Sequence, residues 1–385
     1  MSIAKNLLDQ VKSWRHDFHA HPETGFQEFQ TSEKVAQYLR SFGLKVDVGL
    51  AGTGVIATLE QGDGPTIGLR ADMDALPFTE LGNIEHKSKH QGVMHACGHD
   101  GHTSILLGAA KILSETRNFK GTVHFVFQPA EENLGGAIKM VEEGLFEKYP
   151  MDAIYGLHNW PGLPAGHIGV NPGAMMASLD SFEITLMGKS CHAAMPEKGH
   201  DPIVAASQLV LALQTIVSRQ VSPLESAVVS ITQFNGGEAI NIIPEKVTLR
   251  GTMRCLHPDV RHMVQARIEQ MVHDIPKIFQ VNGSIEFFPG YPVTMNHAQQ
   301  AQYVRETAIE VLGADKVHWD IAPTMASEDF ACMLERCPGA YFWLGADGST
   351  PSKPLHNAYY DFNDDIIETG ILFWKTLVEN QLKSV

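Results

Sequence analysis

The feature that most restricts the fold is an alternation between residues 66 and 158. Short apolar runs at Thr66–Leu69, Gly121–Phe127 and Ala153–Leu157 are separated by segments of helical periodicity. Gly121–Phe127 is apolar enough to read as a strand buried on both faces. Strands alternating with helices make βαβ units and a mostly parallel sheet, which binds ligands at the carboxyl ends of its strands. Each run here ends in residues able to do chemistry. Asp72 and Asp74 follow the first, Glu131 and Glu132 the second, and His158 the third; Tyr341–Gly345 leads by a loop to His356. Several independent segments therefore converge on one rim.

From about Leu179 the texture changes. A strand at Phe182–Met187, a helix at Asp201–Val217, strands at Ser226–Phe234 and Lys246–Arg254, a helix at Pro258–Ile275 and a strand at Ile285–Phe288 follow in turn. That βαββαβ order is the one a ferredoxin-like α+β domain uses. With 385 residues, two domains are expected. The expectation is an α/β fold: a mostly parallel-sheet domain of residues 1–178 and 292–385, with a ferredoxin-like lid or dimerisation domain inserted at 179–291.

A formal charge of −15 disfavours nucleic acid and anionic membranes as partners. No apolar run approaches the roughly 20 residues of a membrane span, and Met1–Leu8 lacks the basic start of a signal peptide. Five scattered cysteines make no disulfide framework, so a reducing cytoplasm is expected.

The densest chemistry lies in Met94-His95-Ala96-Cys97-Gly98-His99-Asp100-Gly101-His102, with a helix pattern (Ile105, Leu106, Ala109, Ile112, Leu113) directly after it. Cys97 and His99 can face one ion if Gly98 permits a tight turn. A thiolate with imidazoles favours zinc, cobalt or nickel, and added carboxylates admit manganese. Paired Cys-x-x-Cys spacings are lacking and the other candidates are distant, which points to an open, catalytic centre rather than a closed structural one. Of the adjacent Glu131 and Glu132, one can ligate a metal while the other takes a proton from activated water. The alternative is a solvated acidic loop. His16, His19 and His21 have no thiol or carboxylate arranged for ligation, and a structural role is expected. In the inserted domain, His192 sits in a turn of small residues where it can donate to an oxyanion. Asn241 and Arg254 can bind a substrate carboxylate, Arg254 in bidentate fashion, or serve as a loop cap and a surface charge.

These residues resemble a known family. Arg70–Pro77, Met94–His102, Gln128–Glu132, His158, Leu355–Asn357, Arg15–Glu23 and Ser327–Phe330 look like the amidohydrolase branch of the aminoacylase and carboxypeptidase metallopeptidase superfamily. That branch includes hippurate hydrolase, N-acyl-amino-acid deacylases and the plant hydrolases of auxin–amino acid conjugates. The resemblance implies that Cys97, His99, Glu132, His158 and His356 hold two divalent ions, with Cys97 bridging, and that Glu131 is the base. It implies that His192 acts on the scissile carbonyl, within one subunit or across a dimer, and that Asn241 and Arg254 bind the substrate carboxylate. His95 and His102 are expected to support the site rather than ligate. Many relatives carry a histidine where Asp72 stands. The expected activity is hydrolysis of N-acyl amino acids. A metallo-dipeptidase or carboxypeptidase is the alternative, and a non-catalytic metal-binding protein the remote one. The acyl group, the amino acid and the choice among zinc, manganese, cobalt and nickel stay open, as does a homodimer or homotetramer through the inserted domain.

Overall fold

The structure is a computed structural model that describes residues 3–349 and 352–383. The chain divides into two compact units. The first comprises Met1–Met175, Thr294–Ala322 and Asp329–Val385, and the second Met176–Val293 with Pro323–Glu328.

The first unit is built on an eight-stranded sheet. Its spatial order is Lys45–Leu50, Gly54–Gln61, Gly121–Gln128, Thr66–Asp72, Ala153–Pro164, Gly339–Asp347, Ile168–Val170 and Val317–Trp319. Thr66–Asp72 runs parallel to both its neighbours, and Ala153–Pro164 runs parallel to Gly339–Asp347. The two strands at Lys45–Leu50 and Gly54–Gln61 join antiparallel, and so does Ile168–Val170 against Gly339–Asp347. The fold is thus α/β around a parallel centre. Burial follows that topology: Gly339–Asp347 and Thr66–Asp72 are buried almost throughout, whereas the edge strand Lys45–Leu50 is largely exposed.

Helices Lys5–Ala20, His99–Thr116 and Ile367–Gln381 contribute Val11, Trp14, Leu106, Ala110, Ile371 and Trp374 to the core under the sheet. The segment after Gly135 forms two short helices, Gly136–Glu142 and Leu145–Lys148. Gly144 between them has φ +89°, a left-handed conformation that stops a helix and suits glycine.

The second unit's main sheet has four antiparallel strands in the order Ala227–Gly236, Lys246–Cys255, Asp180–Met187 and Asn282–Pro289. With helices Pro202–Arg219 and Pro258–Asp274 it forms the βαββαβ sandwich. Burial alternates along Asp180–Met187 and Lys246–Cys255, so one face of the sheet meets the helices. Pro202–Arg219 starts where the Asp201 carboxylate accepts the N–H groups of Ile203 and Val204, a side-chain cap with proline at the first helical position. By length and composition this helix is apolar enough to cross a membrane, which the sequence reading did not anticipate. Ala205, Leu209, Leu213 and Ile216 on one face of it are buried in the unit's own core.

Candidate metal centre

One strand, two helix starts and two loops of the first unit bring the ligand atoms together. Cys97 Sγ and ring nitrogens of His99 and His158 lie within 4.8 Å of one another, and so do Cys97 Sγ, a Glu132 oxygen and a His356 ring nitrogen. Cys97 is common to both triads. Its sulfur is 3.3 Å from His158 Nε2, and His356 Nε2 is 3.1 Å from Glu132 Oε1. Glu131, also buried, shares a third group with His99 and Glu132.

Local backbone explains the convergence. Gly98 has φ +93°, and a Cβ there would sit 2.2 Å from Asn159 Oδ1. Only glycine therefore allows Cys97 and His99 to turn onto the same point. His99 opens its helix, while His158 lies within the strand Ala153–Pro164, which continues past the expected end at Leu157 because it stays paired with Gly339–Asp347. The Nδ1–H of His158 donates to the Asn159 carbonyl at 2.7 Å, which presents Nε2 to the centre. His356 is held at φ +60° by its own N–H donating to the Ala96 carbonyl at 2.8 Å.

Asp72 and Asp74 form the floor. Asp72 accepts from Arg70 Nη1 at 2.8 Å and from His102 Nδ1 at 2.6 Å. Burial alone would raise its pKa, but His99, His102 and Arg70 together hold it well below the usual carboxylate range. His102 Nε2 lies 2.6 Å from Asn159 Oδ1 and 3.0 Å from the Asn159 backbone nitrogen, so both its nitrogens are committed to supporting partners. Asp74 accepts the N–H groups of Glu131 and Glu132, each at 3.0 Å, and its Oδ1 is 3.2 Å from His99 Nδ1. His95 is buried with neither ring nitrogen hydrogen-bonded; burial pushes its pKa down to about 4. His19 pairs with Asp100 at 2.9 Å, and none of His16, His19 and His21 joins a ligand group among the described residues.

The donor set fits a pair of cations. His99 Nε2 is buried and makes no hydrogen bond, as a nitrogen meant for a metal should. Although burial opposes it, Asp72 and Asp74 push His99 up to about 10. Burial, then Glu132 and Glu131, push the Cys97 thiol well above its usual range. Such an excess of negative donors is relieved by divalent ions, which also deprotonate a coordinating thiol.

His192, Asn241 and Arg254 belong to the second unit. His192 pairs with Ile242 in a two-stranded ladder, and the Ala193 N–H donates to the Asn241 carbonyl at 2.9 Å. His192 is exposed and accepts the Ala194 N–H at Nδ1. Its proton is therefore on Nε2, leaving that N–H to donate. Arg254 is half-buried and donates from Nη1 to the Met325 carbonyl at 3.0 Å. Sequence reasoning missed Asn159, Tyr360, Glu28 and Thr53. Asn159 joins His102 to the Tyr360 hydroxyl, and its place immediately after His158 was the available signal.

The chain is similar to known proteins along its length. Residues 68–380 match Peptidase family M20/M25/M40. The chain is 42% identical to hippurate hydrolase of Campylobacter jejuni over the whole of both chains. It is 40% identical to N-acetyl-L-cysteine deacetylase of Bacillus subtilis, over 89% of this chain and 82% of that one. A Bacillus subtilis crystal structure described as a dinuclear metal binding peptidase from the M20 family superposes with a TM-score of 0.87 at 34% identity. That match covers 99% of this chain and 100% of the other.

Proposed function

This chain belongs to peptidase family M20/M25/M40, and on that premise we propose that it hydrolyses the amide of N-acylated amino acids, releasing a carboxylic acid and a free amino acid. The observation that carries the reading is the position of Cys97 in two converging ligand triads with Glu131 alongside. Cys97, His99, Glu132, His158 and His356 would hold two divalent ions, drawn from zinc, manganese, cobalt and nickel. When bound, such ions polarise an acyl carbonyl and make water a better acid.

The chain's own residues carry the proton. Glu131 takes it from the attacking water and returns it to the leaving nitrogen. Asp74 holds the Glu131 backbone while this happens. His192 donates Nε2–H to the acyl oxygen as it gains charge. Asn241 and Arg254 bind the carboxylate of the amino-acid product, Arg254 through a planar guanidinium suited to two parallel hydrogen bonds. The hydrolysis of N-acyl amino acids by the named relatives supports the substrate class.

A cytoplasmic location is supported by five cysteines that are all free thiols. Association into a homodimer or homotetramer through the second unit is supported by its exposed Leu211, Leu224 and Ile240. The test of function is a substrate panel of hippurate, N-acetyl amino acids and dipeptides, assayed on metal-stripped enzyme reloaded with each ion in turn. Metal-dependent turnover of the N-acyl amino acids is expected. Faster turnover of dipeptides would overturn the reading in favour of a dipeptidase.

A further inference from the structure

We propose that Glu28 is a positioning residue for Glu131: its carboxylate holds Ala130 in the left-handed turn from which Glu131 is aimed. The inference rests on Glu131 being the base, as read above.

The strand Gly121–Gln128 ends two residues before Ala130, which adopts φ 54° and ψ 43°. A residue with a side chain enters that region only when its surroundings force it. The Ala130 N–H donates to Glu28 Oε1 at 2.8 Å, and the Ala130 carbonyl accepts the Gly136 N–H at 2.9 Å. Glu28 is itself tethered, since its Oε2 accepts the Thr53 hydroxyl at 2.6 Å. Both Glu28 and Ala130 are completely buried, so water cannot replace the bond.

Two other carboxylates grip the same segment. Asp74 holds the Glu131 and Glu132 N–H groups, and Asp329 accepts the Ala137 N–H at 2.9 Å. Asp74 also touches His99, and Asp329 also bonds Gln128. Glu28 is bonded to Thr53 and Ala130 and to none of the five ligand residues among the described side chains. It therefore sets the direction of the turn without taking part in the ligand set. Glu131 is the next residue along, so its carboxylate moves whenever the Ala130 turn relaxes. A displacement on the order of 1 Å at a reacting group costs roughly 100-fold in rate.

Glu28→Met and Glu28→Gln separate aim from charge and from folding. Glutamine keeps an oxygen for the Ala130 N–H; methionine keeps the bulk and loses the acceptor. With hippurate or N-acetyl amino acids, Glu28→Met is expected to lower kcat about 100-fold while KM and bound metal change less than about twofold. Glu28→Gln is expected to restore kcat to within about threefold of the parent, because the bond geometry is retained. An unchanged kcat in Glu28→Met overturns the proposal, and so does a loss of metal or a rise in KM in step with kcat. If Glu28→Met fails to fold, Thr53→Val, which frees one Glu28 oxygen, takes its place. A kcat loss of about fivefold at constant KM supports the proposal, and no loss overturns it. Glu131→Gln is run alongside. If that variant stays active, the assignment of the base fails; if it is inactive while Glu28→Met is unaffected, only the present inference fails.

Discussion

The Asp74 carboxylate accepts the backbone N–H of Glu131 at 3.0 Å. The same oxygen lies 3.2 Å from His99 Nδ1, so one buried group fixes both a ligand histidine and the proton carrier. Asp74→Ala should lose both functions together. Removing an outer-shell partner of a metal ligand costs about 10- to 100-fold in metal affinity. Each buried N–H left without an acceptor costs roughly 1–3 kcal/mol. Metal titration and thermal unfolding on the same preparation check the expectation. A variant with parental metal affinity would show that Asp74 does not orient His99.

Gly98 is the hinge on which Cys97 and His99 turn together. Gly98→Ala combines a left-handed backbone, costing roughly 1–3 kcal/mol, with a Cβ pressed onto Asn159 Oδ1. A lower denaturation midpoint with reduced metal binding is expected. Unfolding curves with and without added metal measure both effects, and an unchanged midpoint would contradict them.

Cys97 belongs to both ligand triads, whereas His356 belongs to one. Cys97→Ser should therefore bind less metal than His356→Ala. Metal analysis after dialysis is expected to give a smaller metal-to-protein ratio for the cysteine variant. Equal ratios would mean that Cys97 is not shared.

His124 supplies a pH signature remote from the centre. It is buried in the strand Gly121–Gln128, with Nδ1 3.0 Å from the Thr58 hydroxyl. Burial, with a smaller push from Lys45, lowers its pKa to about 4. A histidine depressed on folding favours the folded state above its unfolded pKa of about 6.5. That preference is lost as pH falls from about 6.5 to about 4, by up to roughly 3 kcal/mol. Denaturant unfolding between those limits should show the loss in the parent and a flatter profile in His124→Gln. Parallel profiles would rule out His124 as the source.

The α/β layout was legible because apolar runs and helical periodicity are local properties of the chain. The break at Gly144 between two short helices was not, because its positive φ depends on the turn it makes. Among site residues, the proximity of Cys97 to His99 was visible in a nine-residue motif. The strand-end rule pointed to the rim where His158 and Glu132 converge with them. Glu28 was invisible for a physical reason. Its partners are a main-chain N–H 102 residues away and the Thr53 hydroxyl, and neither leaves a pattern in neighbouring residues. Asn159 and Tyr360 were hidden in the same way, bonded to each other across 201 residues.

The measurement that bears most directly on the account is turnover and metal content of Glu131→Gln, taken on one preparation with an N-acyl amino acid as substrate. A positioned general base contributes roughly 100- to 10,000-fold, so kcat should fall by at least about 100-fold while bound metal stays at the parental level. Parental turnover would contradict Glu131 as the proton carrier, and loss of the metal with the activity would move that role to Glu132.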